Sequence, residues 1–445
     1  MDLQEVQERI VADKIDTLRI EYPDVYGVCR SKAMPAAKLA SVAEHGINFA
    51  KAVYAIDLSN NIPPGTGVAD EIDWRDMAVI PDLDTYTPIP YLPGTARLLA
   101  DPMFDGKPSQ VCPRNLLKRV VNLYKDLNLR PMAATELEFF LFRLENGQSG
   151  PYYANQPDSV YTTGPRVDEM GILRNLQNIL MAMGLDVLYM NHEFFSGQYE
   201  INWKYDDALA MADQSFTYKT VCKDYAAQQG LHLTFMDRPK NEGGGSGYHV
   251  HFSVNDPEGT RNLFDDPQGK HGLSELALNF IAGQMAHAKS MTPFMLSTIN
   301  SYRRVCLDSF APYFLVWGLD NRTVYLRVPG ERGRATRCEN RGPGASANPY
   351  LVIAAGLLAG LDGIRNKMDP GDPFLGDAYR LDPETTPTVP QYMPDALAAL
   401  KKDAWLCEAM GTDLVQCFLA LKEGELERFR TYVTDWEWNE YSRHL

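Results

Sequence analysis

The sequence predicts an α+β fold with a small N-terminal unit and one large second unit. Up to about residue 100, a helical start is followed by short β-rich runs and by connections rich in proline and glycine. Beyond that point strand-like and helix-like segments alternate, and the sequence contains no internal repeat. Turn residues cluster in "LADPMFDGKP", which places the boundary between units 1–102 and 103–445.

The second unit is predicted to begin with a helix at Pro113, because apolar residues recur on one side of "PRNLLKRVVNLYKDLNL". The same reasoning about periodicity predicts the elements that follow. These are a strand at 132–142, a helix near 170–183, a hairpin at 193–203, a helix near 206–229, strands near 231–236 and 248–254, a helix near 273–290, strands near 314–328 and 336–341, the apolar helix "ANPYLVIAAGLLAGLDGIRN" and a helical C-terminal segment.

Charge and composition exclude several classes of protein. The 445 residues carry a formal net charge of -15 and no basic run, so nucleic acid is not a predicted partner. The N-terminus is charged, and no stretch reaches the ~18 uncharged apolar residues of a membrane span, so we predict a cytoplasmic protein without membrane association. Seven scattered cysteines, with no CxxC pair, predict reduced structural thiols.

Two carboxylates interrupt the apolar stretch "TELEFFLF", residues 135–142. Because alternate side chains of a strand point the same way, Glu136 and Glu138 should share one face with Phe140, while Leu137 and Phe139 take the other. Two like charges on one face of a buried strand repel each other, so the motif requires nearby counter-charge.

Three further motifs place charged or titratable side chains on predicted strands. They are Glu193 and Glu200 in "EFFSGQYEINW", His249 and His251 in "GGGSGYHVHFSV", and Glu339 between Arg337 and Arg341 in "RCENR". Singly, each has a structural interpretation as a surface glutamate, a core histidine or an ion-pair cluster. Together, five carboxylates and a histidine beside apolar residues favour Mg²⁺ or Mn²⁺, and the arginines favour a phosphate or carboxylate ligand. The motifs therefore predict metal-assisted phosphoryl transfer.

Six collinear blocks carry a family resemblance: "ELEFF", "EFFSGQYEIN", "GSGYHVHFSV", "NSYRR", "DNRTVYLRVP" and "RCENRGPGASANPYL". In order and spacing they resemble the signature blocks of the type I glutamine synthetase family, and the likeness runs from about residue 10 to "VTDWEWNEY". The resemblance implies a β-grasp-like N-terminal domain and a catalytic domain whose strands form an open funnel. It also implies a homo-oligomer, a dodecamer of two hexameric rings with active sites between subunits.

The resemblance also implies roles for individual residues. The first of two or more metals would be held by Glu138, Glu193 and Glu200, and the second by Glu136, His249 and Glu339. Glutamate would contact Gly245, His249, Arg304 and Arg341, and Arg322 would face the transferred phosphoryl group. ATP would contact Tyr205, His251, Ser253, Arg327 and Arg337. Glu138, Arg322 and Arg341 would be the catalytic residues.

The implied reaction uses L-glutamate, ATP and an amine. The γ-carboxylate of glutamate attacks the γ-phosphate of ATP, and positive charge neutralises the loose transition state. The γ-glutamyl phosphate that forms is an activated acyl group, which a neutral amine displaces with release of phosphate.

The sequence departs from ammonia-using members of the family at three places. The N-terminal unit reads "NFAKAVYAIDLSNN" where those members have an "FDGSS"-like segment, Phe310 in "RVCLDSFAP" stands where they have a glutamate, and Gly244 replaces an asparagine. Exchanging a carboxylate for an aromatic ring makes the nucleophile pocket more apolar, which suits an organic amine. "AIDLSNN" is also similar to the corresponding segment of γ-glutamylputrescine synthetases. We therefore predict a glutamate–amine ligase of amine or polyamine catabolism; the amine and the role of Asp57 stay open.

Two alternatives remain. One is a glutamine synthetase that uses ammonium, which the missing carboxylates oppose. The other is a catalytically inactive structural or regulatory homologue, which the six filled metal positions oppose. Tyr379 lies at the position of a tyrosine that is adenylylated in some bacterial members; because the local sequence differs, we interpret it as a plain surface residue and predict no modification.

Overall fold

The computed structural model describes residues 1–145, 147–152 and 160–445. The strands are β1 (Thr17–Pro23), β2 (Cys29–Pro35), β3 (Ile47–Ala50), β4 (Asp76–Pro81), β5 (Thr87–Pro88), β6 (Thr95–Phe104), β7 (Lys107–Pro108), β8 (Arg130–Glu145), β9 (Gln148–Pro151), β10 (Val187–His192), β11 (Gln198–Trp203), β12 (Asp206–Asp207), β13 (Leu231–Thr234), β14 (Tyr248–Asn255), β15 (Trp317–Leu319), β16 (Leu326–Val328) and β17 (Cys338–Asn340). The α-helices are α1 (Leu3–Ala12), α2 (Leu39–His45), α3 (Pro113–Lys125), α4 (Ile172–Ala182), α5 (Ala208–Gln228), α6 (Glu275–Ala286), α7 (Ala288–Met295), α8 (Ile299–Tyr302), α9 (Pro349–Asn366), α10 (Met393–Lys402), α11 (Ala404–Met410), α12 (Thr412–Arg430) and α13 (Asp435–Tyr441).

The first sheet has the strand order β2-β1-β6-β4-β3, with β5 and β7 added on β6. Strand β1 runs parallel to β6 and antiparallel to β2. Leu18 and Ile20 on β1 are fully buried, so the strand lies in the core of this sheet.

The second sheet has the strand order β10-β11-β8-β14-β17-β16-β15, and β9, β12 and β13 also pair with the long strand β8. Leu137 and Phe139 on β8 are fully buried, whereas Glu136 and Glu138 point to the other, partly open face. The predicted alternation along "TELEFFLF" is therefore confirmed. The predicted strands near 314–328 and 336–341 are shorter than expected, because β15, β16 and β17 have three residues each.

The helix α9 forms the centre of the helical layer. Asn348 caps its first turn by accepting a hydrogen bond from the Tyr350 amide, and Pro349 occupies the first helical position. Glycines allow α6 and α9 to approach closely: a Cβ at Gly283 would lie only 2.0 Å from the Ala359 carbonyl oxygen. The helix α9 confirms the apolar helix that the sequence predicted at "ANPYLVIAAGLLAGLDGIRN".

Among the described residues, no single helix combines the length and apolarity needed to cross a membrane. The helices Ala404–Met410 and Thr412–Tyr441 meet that requirement only when they are joined across a bend of 105°.

A buried histidine breaks the helix that the sequence predicted at 273–290. Helix α6 ends at Ala286 and α7 begins at Ala288, because His287 between them leaves helical geometry. Its Nδ1 lies 2.6 Å from an Asp403 oxygen and its Nε2 lies 3.1 Å from an Asp362 oxygen. Burial acts to lower the pKa of His287, but hydrogen bonds to the two carboxylates outweigh it and raise the pKa.

This histidine predicts a stability difference that depends on pH. Because the folded-state pKa is raised above 6.5, the stabilisation from His287 is fully present below that pH and is lost as pH rises through the folded value. We expect His287→Gln to lower the thermal midpoint more at pH 6 than at pH 9. Differential scanning fluorimetry checks this, with the exposed His232→Gln as control; an equal loss at both pH values would contradict the assignment.

A buried arginine joins the first sheet to helix α5. The guanidinium of Arg114, which is 1% exposed, donates to Asp82 at 2.8 Å, to Asp101 at 2.7 Å and to Asp213 at 2.9 Å. These carboxylates belong to the β4–β5 connection, to β6 and to α5, so one side chain connects three parts of the fold.

Removal of this cation leaves three carboxylates without their shared partner. We expect Arg114→Met to lower the free energy of unfolding by about 3–5 kcal/mol, the typical loss when one partner of a buried ion pair is removed. Urea unfolding of this variant beside Arg75→Met provides the check. Arg75 pairs with Asp105 at 3.0 Å on the surface, where such a pair contributes at most about 1 kcal/mol. Equal losses of unfolding free energy in both variants would contradict the structural role of Arg114.

Candidate active site

The register of the second sheet brings the predicted ligands into one row. Glu200 on β11 lies opposite Glu138 on β8, and His249 on β14 lies opposite Glu136. On the next strand pair, His251 lies opposite Glu339. The carboxylates and histidines of four strands thus line one face of the sheet, although the motifs are far apart in the sequence.

Amide groups hold three of the carboxylates at one end of this row. Glu138 accepts hydrogen bonds of 2.8 Å from Gln198 Nε2 and from the Gly247 amide. Side-chain amides also donate to the other two, from Asn202 to Glu200 at 2.5 Å and from Asn191 to Glu193 at 2.6 Å. These neutral donors orient the carboxylates without cancelling their charge.

The three carboxylates lie close enough together to oppose one another's ionisation. Burial and the neighbouring charge of Glu138 raise the pKa of Glu193 to about 7. Burial, with the charges of Glu136 and Glu138, raises the pKa of Glu200 well above its usual range. A hard divalent cation supplies positive charge and accepts carboxylate oxygens as ligands, so Glu138, Glu193 and Glu200 fit a Mg²⁺ or Mn²⁺ site.

The other end of the row contains basic side chains. Glu136 contacts two histidines, with its carboxylate oxygens 3.2 Å from His249 Nδ1 and 3.0 Å from His251 Nε2. Burial acts to raise the pKa of Glu136, but His251 and His249 outweigh it and hold the pKa well below its usual range. This carboxylate is therefore charged and available as a ligand at neutral pH.

Glu339 is fully buried between two arginines. It accepts hydrogen bonds from Arg341 at 2.5 Å and from Arg327 at 2.8 Å. Burial acts to raise the pKa of Glu339, but Arg341 and the two histidines outweigh it and hold the pKa at about 2. Ligand atoms of Glu136, His251 and Glu339 all lie within 4.8 Å of one another, which is close enough to hold one metal ion.

This cluster differs in one member from the predicted second metal site. The sequence assigned His249 to the metal and His251 to the nucleotide, whereas His251 is the histidine of the compact group. His249 lies beside it, with Nδ1 3.6 Å from Glu339. The two histidines share one strand face, so the sequence pattern alone could not rank them.

A cavity of about 300 Å³ opens beside this second cluster. It combines aromatic and polar lining, which suits a base and its phosphates. Five predicted site residues line it together, namely Glu136, Tyr205, His251, Ser253 and Arg337. Tyr189, Trp203 and Arg334 also line it and were not predicted.

The predicted phosphate-side arginines lie at different distances from this cavity. Arg337 donates from Nε to His251 Nδ1 at 3.2 Å and lines the cavity directly. Arg327 bonds to Glu339 and to Asp320 and is absent from the lining. Arg322 is exposed between β15 and β16, and its charge acts on Glu193. The structure thus places Arg337 at the cavity and Arg322 near enough to Glu193 for its charge to act there.

The residues predicted to contact glutamate include an arginine that lies very close to the backbone of two glycines. Arg304 is 5% exposed and donates to the Gly342 carbonyl at 3.3 Å. A Cβ at Gly245 would lie 2.8 Å from Arg304 Cγ, and one at Gly247 would lie 2.9 Å from its Nη2. Arg341 Nε is buried without a hydrogen-bond partner among the described residues, so it is a donor available to an anionic ligand.

An aromatic pair includes Phe194, the residue that follows Glu193 in the chain. The rings of Phe194 and Phe310 stack with centroids 4.7 Å apart and planes inclined by 20°. Phe310 has a φ of 61°, a left-handed conformation that bulky residues rarely adopt. Ser309 braces the preceding loop by donating to the Cys306 carbonyl at 2.6 Å. Both rings remain about half exposed, so they present apolar surface to solvent.

Gly244 is explained by a neighbouring ring rather than by a ligand. A Cβ at this position would lie 1.9 Å from Phe195 Cε2, so any larger residue would displace that ring. The sequence had shown only that an asparagine of the family is absent there.

Asp57, whose role the sequence left open, and Tyr379 both have partners within this chain. Asp57 is buried, accepts hydrogen bonds from the Ser59 amide at 2.7 Å and the Asn61 amide at 2.9 Å, and pairs with Arg428. Tyr379 is 9% exposed and donates its hydroxyl to the Ala311 carbonyl at 2.9 Å. The interpretation of Tyr379 as a surface residue is therefore wrong, because its ring packs inside the fold.

The amide donors Gln198, Asn202 and Asn191 are the main residues that sequence reasoning missed. Two of them carry a detectable signal, since Gln198, Glu200 and Asn202 alternate on one face of "QYEINW". Asn191 belongs to the adjacent strand and could be found only from its pairing with Glu200.

A carboxylate row beside a cavity with arginines is typical of metal-dependent enzymes that act on phosphates. Residues 110–441 match the family model described as "Glutamine synthetase, catalytic domain". The chain belongs to the glutamine synthetase family, as the motifs predicted. Enzymes of this family are ligases that use ATP, divalent metals and glutamate, with ammonia or an amine as the acceptor.

Relatives of both acceptor types are similar to this chain. A glutamate–isopropylamine ligase of Pseudomonas sp. is 35% identical, with 98% of this chain and 97% of the relative covered. A glutamine synthetase of Halobacterium salinarum is 33% identical over 98% and 95% of the two chains. A glutamate–methylamine ligase of Methyloversatilis universalis is also 33% identical, over 99% of both chains.

The fold agrees with these similarities. The solved structure described as "Apo GmaS without ligand" superposes with a TM-score of 0.87 at 30% identity and covers 99% of each chain. The chain therefore has the glutamine synthetase fold. Because relatives of both kinds have similar identity, the choice between ammonium and an amine depends on the site itself.

Proposed function

We propose that this protein is an ATP-dependent ligase that joins the γ-carboxylate of L-glutamate to an organic amine through γ-glutamyl phosphate. The observation that carries this proposal is the stacking of Phe310 on Phe194, the residue that follows Glu193 in the chain. A carboxylate at this place would favour the small, strongly hydrated ammonium ion. Two half-exposed rings instead favour an amine with an apolar substituent.

The aromatic pair also promotes the nucleophilic form of the amine. Only a neutral amine attacks an acyl phosphate, and apolar surroundings disfavour its protonated form. Contact with the two rings therefore makes it easier for the amine to lose its proton, although position 310 carries no carboxylate to accept it. A mono- or polyamine is the substrate class that fits this surface.

The remaining residues bind and orient the other two substrates. Arg304 and Arg341 provide the positive charge that holds glutamate, and the unpartnered Nε of Arg341 donates to one of its carboxylate oxygens. Arg322 and Arg337 stabilise the charge of the transferred phosphoryl group and of the ATP phosphates. Divalent metals, held by Glu138, Glu193 and Glu200 and by Glu136, Glu339 and a histidine, supply further positive charge when bound.

The architecture carries a further part of the proposal. The two sheets support division of the chain into a β-grasp-like domain, 1–102, and a catalytic domain, 103–445. We propose a dodecamer of two hexameric rings, for which the similarity of the whole chain to glutamine synthetases is the support. Size-exclusion chromatography with light scattering tests this assembly.

A phosphate-release assay tests the proposed reaction. The full-length enzyme is given glutamate, ATP and Mg²⁺ or Mn²⁺ with methylamine, isopropylamine, putrescine or ammonium as the acceptor. We expect release that depends on glutamate and is faster with at least one organic amine than with ammonium. Activity on ammonium alone would contradict the proposal and indicate a glutamine synthetase. The absence of both turnover and stabilisation by Mg²⁺-ATP would instead indicate an inactive homologue.

A further inference from the structure

A buried lysine and a buried aspartate lie on opposite sides of the segment 345–347. Lys219 on α5 is 6% exposed, and its Nζ donates to the carbonyls of Ala345 and Ala347, each at 2.8 Å. Asp237, in the connection between β13 and β14, is fully buried and accepts from the Ser346 amide at 2.8 Å and from the Ser346 hydroxyl at 2.6 Å. One short peptide thus separates two opposite charges.

Burial of either charge without a partner would cost a large free energy of desolvation. Burial and the charge of Lys223 lower the pKa of Lys219 to about 7, and the charge of Asp237 opposes that change. Burial likewise raises the pKa of Asp237, while its hydrogen bonds to Ser301 and Ser346 oppose it. The two side chains stabilise each other through the polarised peptides between them.

The clamped segment is connected to the candidate glutamate site. Gly342, three residues before Ala345, accepts the hydrogen bond of Arg304. The Ala345 amide donates to the Ser246 carbonyl at 3.1 Å, which fixes the glycine loop that contains Gly245. The charge of Asp237 also favours the charged form of Arg304. Displacement of the segment 345–347 would therefore move both Arg304 and the backbone of the glycine loop in the candidate glutamate site.

We propose that Lys219 and Asp237 act together as positioning residues for glutamate: they clamp the segment 345–347 and so fix Arg304 and the Gly245 loop. This inference rests on the proposed use of glutamate. Neither side chain is assigned to substrate contact. Their effect should appear as lost affinity for glutamate, whereas the nucleotide cavity, which neither residue lines, should keep its affinity.

Titration calorimetry on the full-length protein tests the inference. With Mn²⁺ present, a non-hydrolysable ATP analogue is titrated first and glutamate second, into native enzyme, Asp237→Asn, Lys219→Met and the double variant. Lys223→Met is the matched control, because Lys223 lies one turn further on α5 over the same ring, Phe235, and makes no hydrogen bond to the segment among the described residues. Loss of its charge favours the charged form of Lys219, so this variant should not raise the Kd for glutamate.

We expect each single variant to raise the Kd for glutamate about tenfold or more and to leave the Kd for the ATP analogue within about twofold. In the double variant the Kd for glutamate should rise by less than the product of the two single-variant increases, because both residues act on one segment. Ser346→Ala removes only the hydroxyl bond, preserves the fold more easily, and should raise the Kd for glutamate by about threefold.

Three results would overturn the inference. The first is a glutamate Kd within about twofold of native in the single variants and in Ser346→Ala. The second is an equal rise in the Kd for glutamate and in the Kd for the ATP analogue, which would indicate general destabilisation. The third is a native enzyme that binds no glutamate, and only this one would overturn the proposed function as well.

Discussion

Replacement of Glu138 by alanine is expected to lower turnover at least about a thousandfold and to remove one Mn²⁺ site. Glu138 lies opposite Glu200 on the adjacent strand and accepts two hydrogen bonds, from Gln198 and the Gly247 amide. Its loss removes one of three carboxylates at the first site and leaves the second cluster with all of its members. The variant should therefore retain one metal ion and a formed ATP cavity.

Electron paramagnetic resonance of free Mn²⁺ during a titration counts the bound ions without relying on activity. The native chain should bind at least two ions and Glu138→Ala one fewer. Glu258→Ala, which changes an exposed glutamate, is the control and should match the native chain. Unchanged turnover or unchanged stoichiometry in Glu138→Ala would refute its role as a ligand.

Replacement of Phe310 by glutamate is expected to shift the enzyme from organic amines toward ammonium. The change removes a stacking partner of Phe194 and restores the carboxylate that ammonia-using members of the family have at this position, which can take a proton from ammonium. We expect the ratio of kcat/KM for the preferred amine to kcat/KM for ammonium to fall by about a hundredfold, within the range that one positioned acid–base group contributes.

Steady-state kinetics with both acceptors measures this ratio. Phe310→Leu should retain the preference for the amine, since it keeps an apolar side chain. Leu307→Glu adds the same charge to an exposed position of the same loop and should leave the ratio unchanged. An unaltered ratio in Phe310→Glu would show that the aromatic pair does not select the acceptor.

Short-range alternation made much of the site predictable. The period of two along "TELEFFLF" and "YHVHF" placed Glu136, Glu138, His249 and His251 on their strand faces before any pairing was known. The resemblance to a family then related motifs that are about a hundred residues apart. The structure shows that these side chains share one sheet face, because the strand register aligns them.

The features that were missed depend on tertiary contacts. No local pattern states that His287 lies between Asp362 and Asp403, so the helix break there could not be predicted. The choice between His249 and His251 depends on the cross-strand position of Glu339. Tyr379 has a polar, loop-like sequence around it, but its burial follows from contact with the distant Ala311.

Oxygen transfer from glutamate to phosphate tests the central claim most directly. The enzyme is incubated with ATP and with glutamate labelled with ¹⁸O in the γ-carboxylate, using the amine that gives the fastest phosphate release. Mass spectrometry then follows phosphate and the amide product together. The account predicts one ¹⁸O atom in each phosphate and a γ-glutamyl amide of the added amine. Unlabelled phosphate, or glutamine as the only amide formed when ammonium is also present, would contradict it.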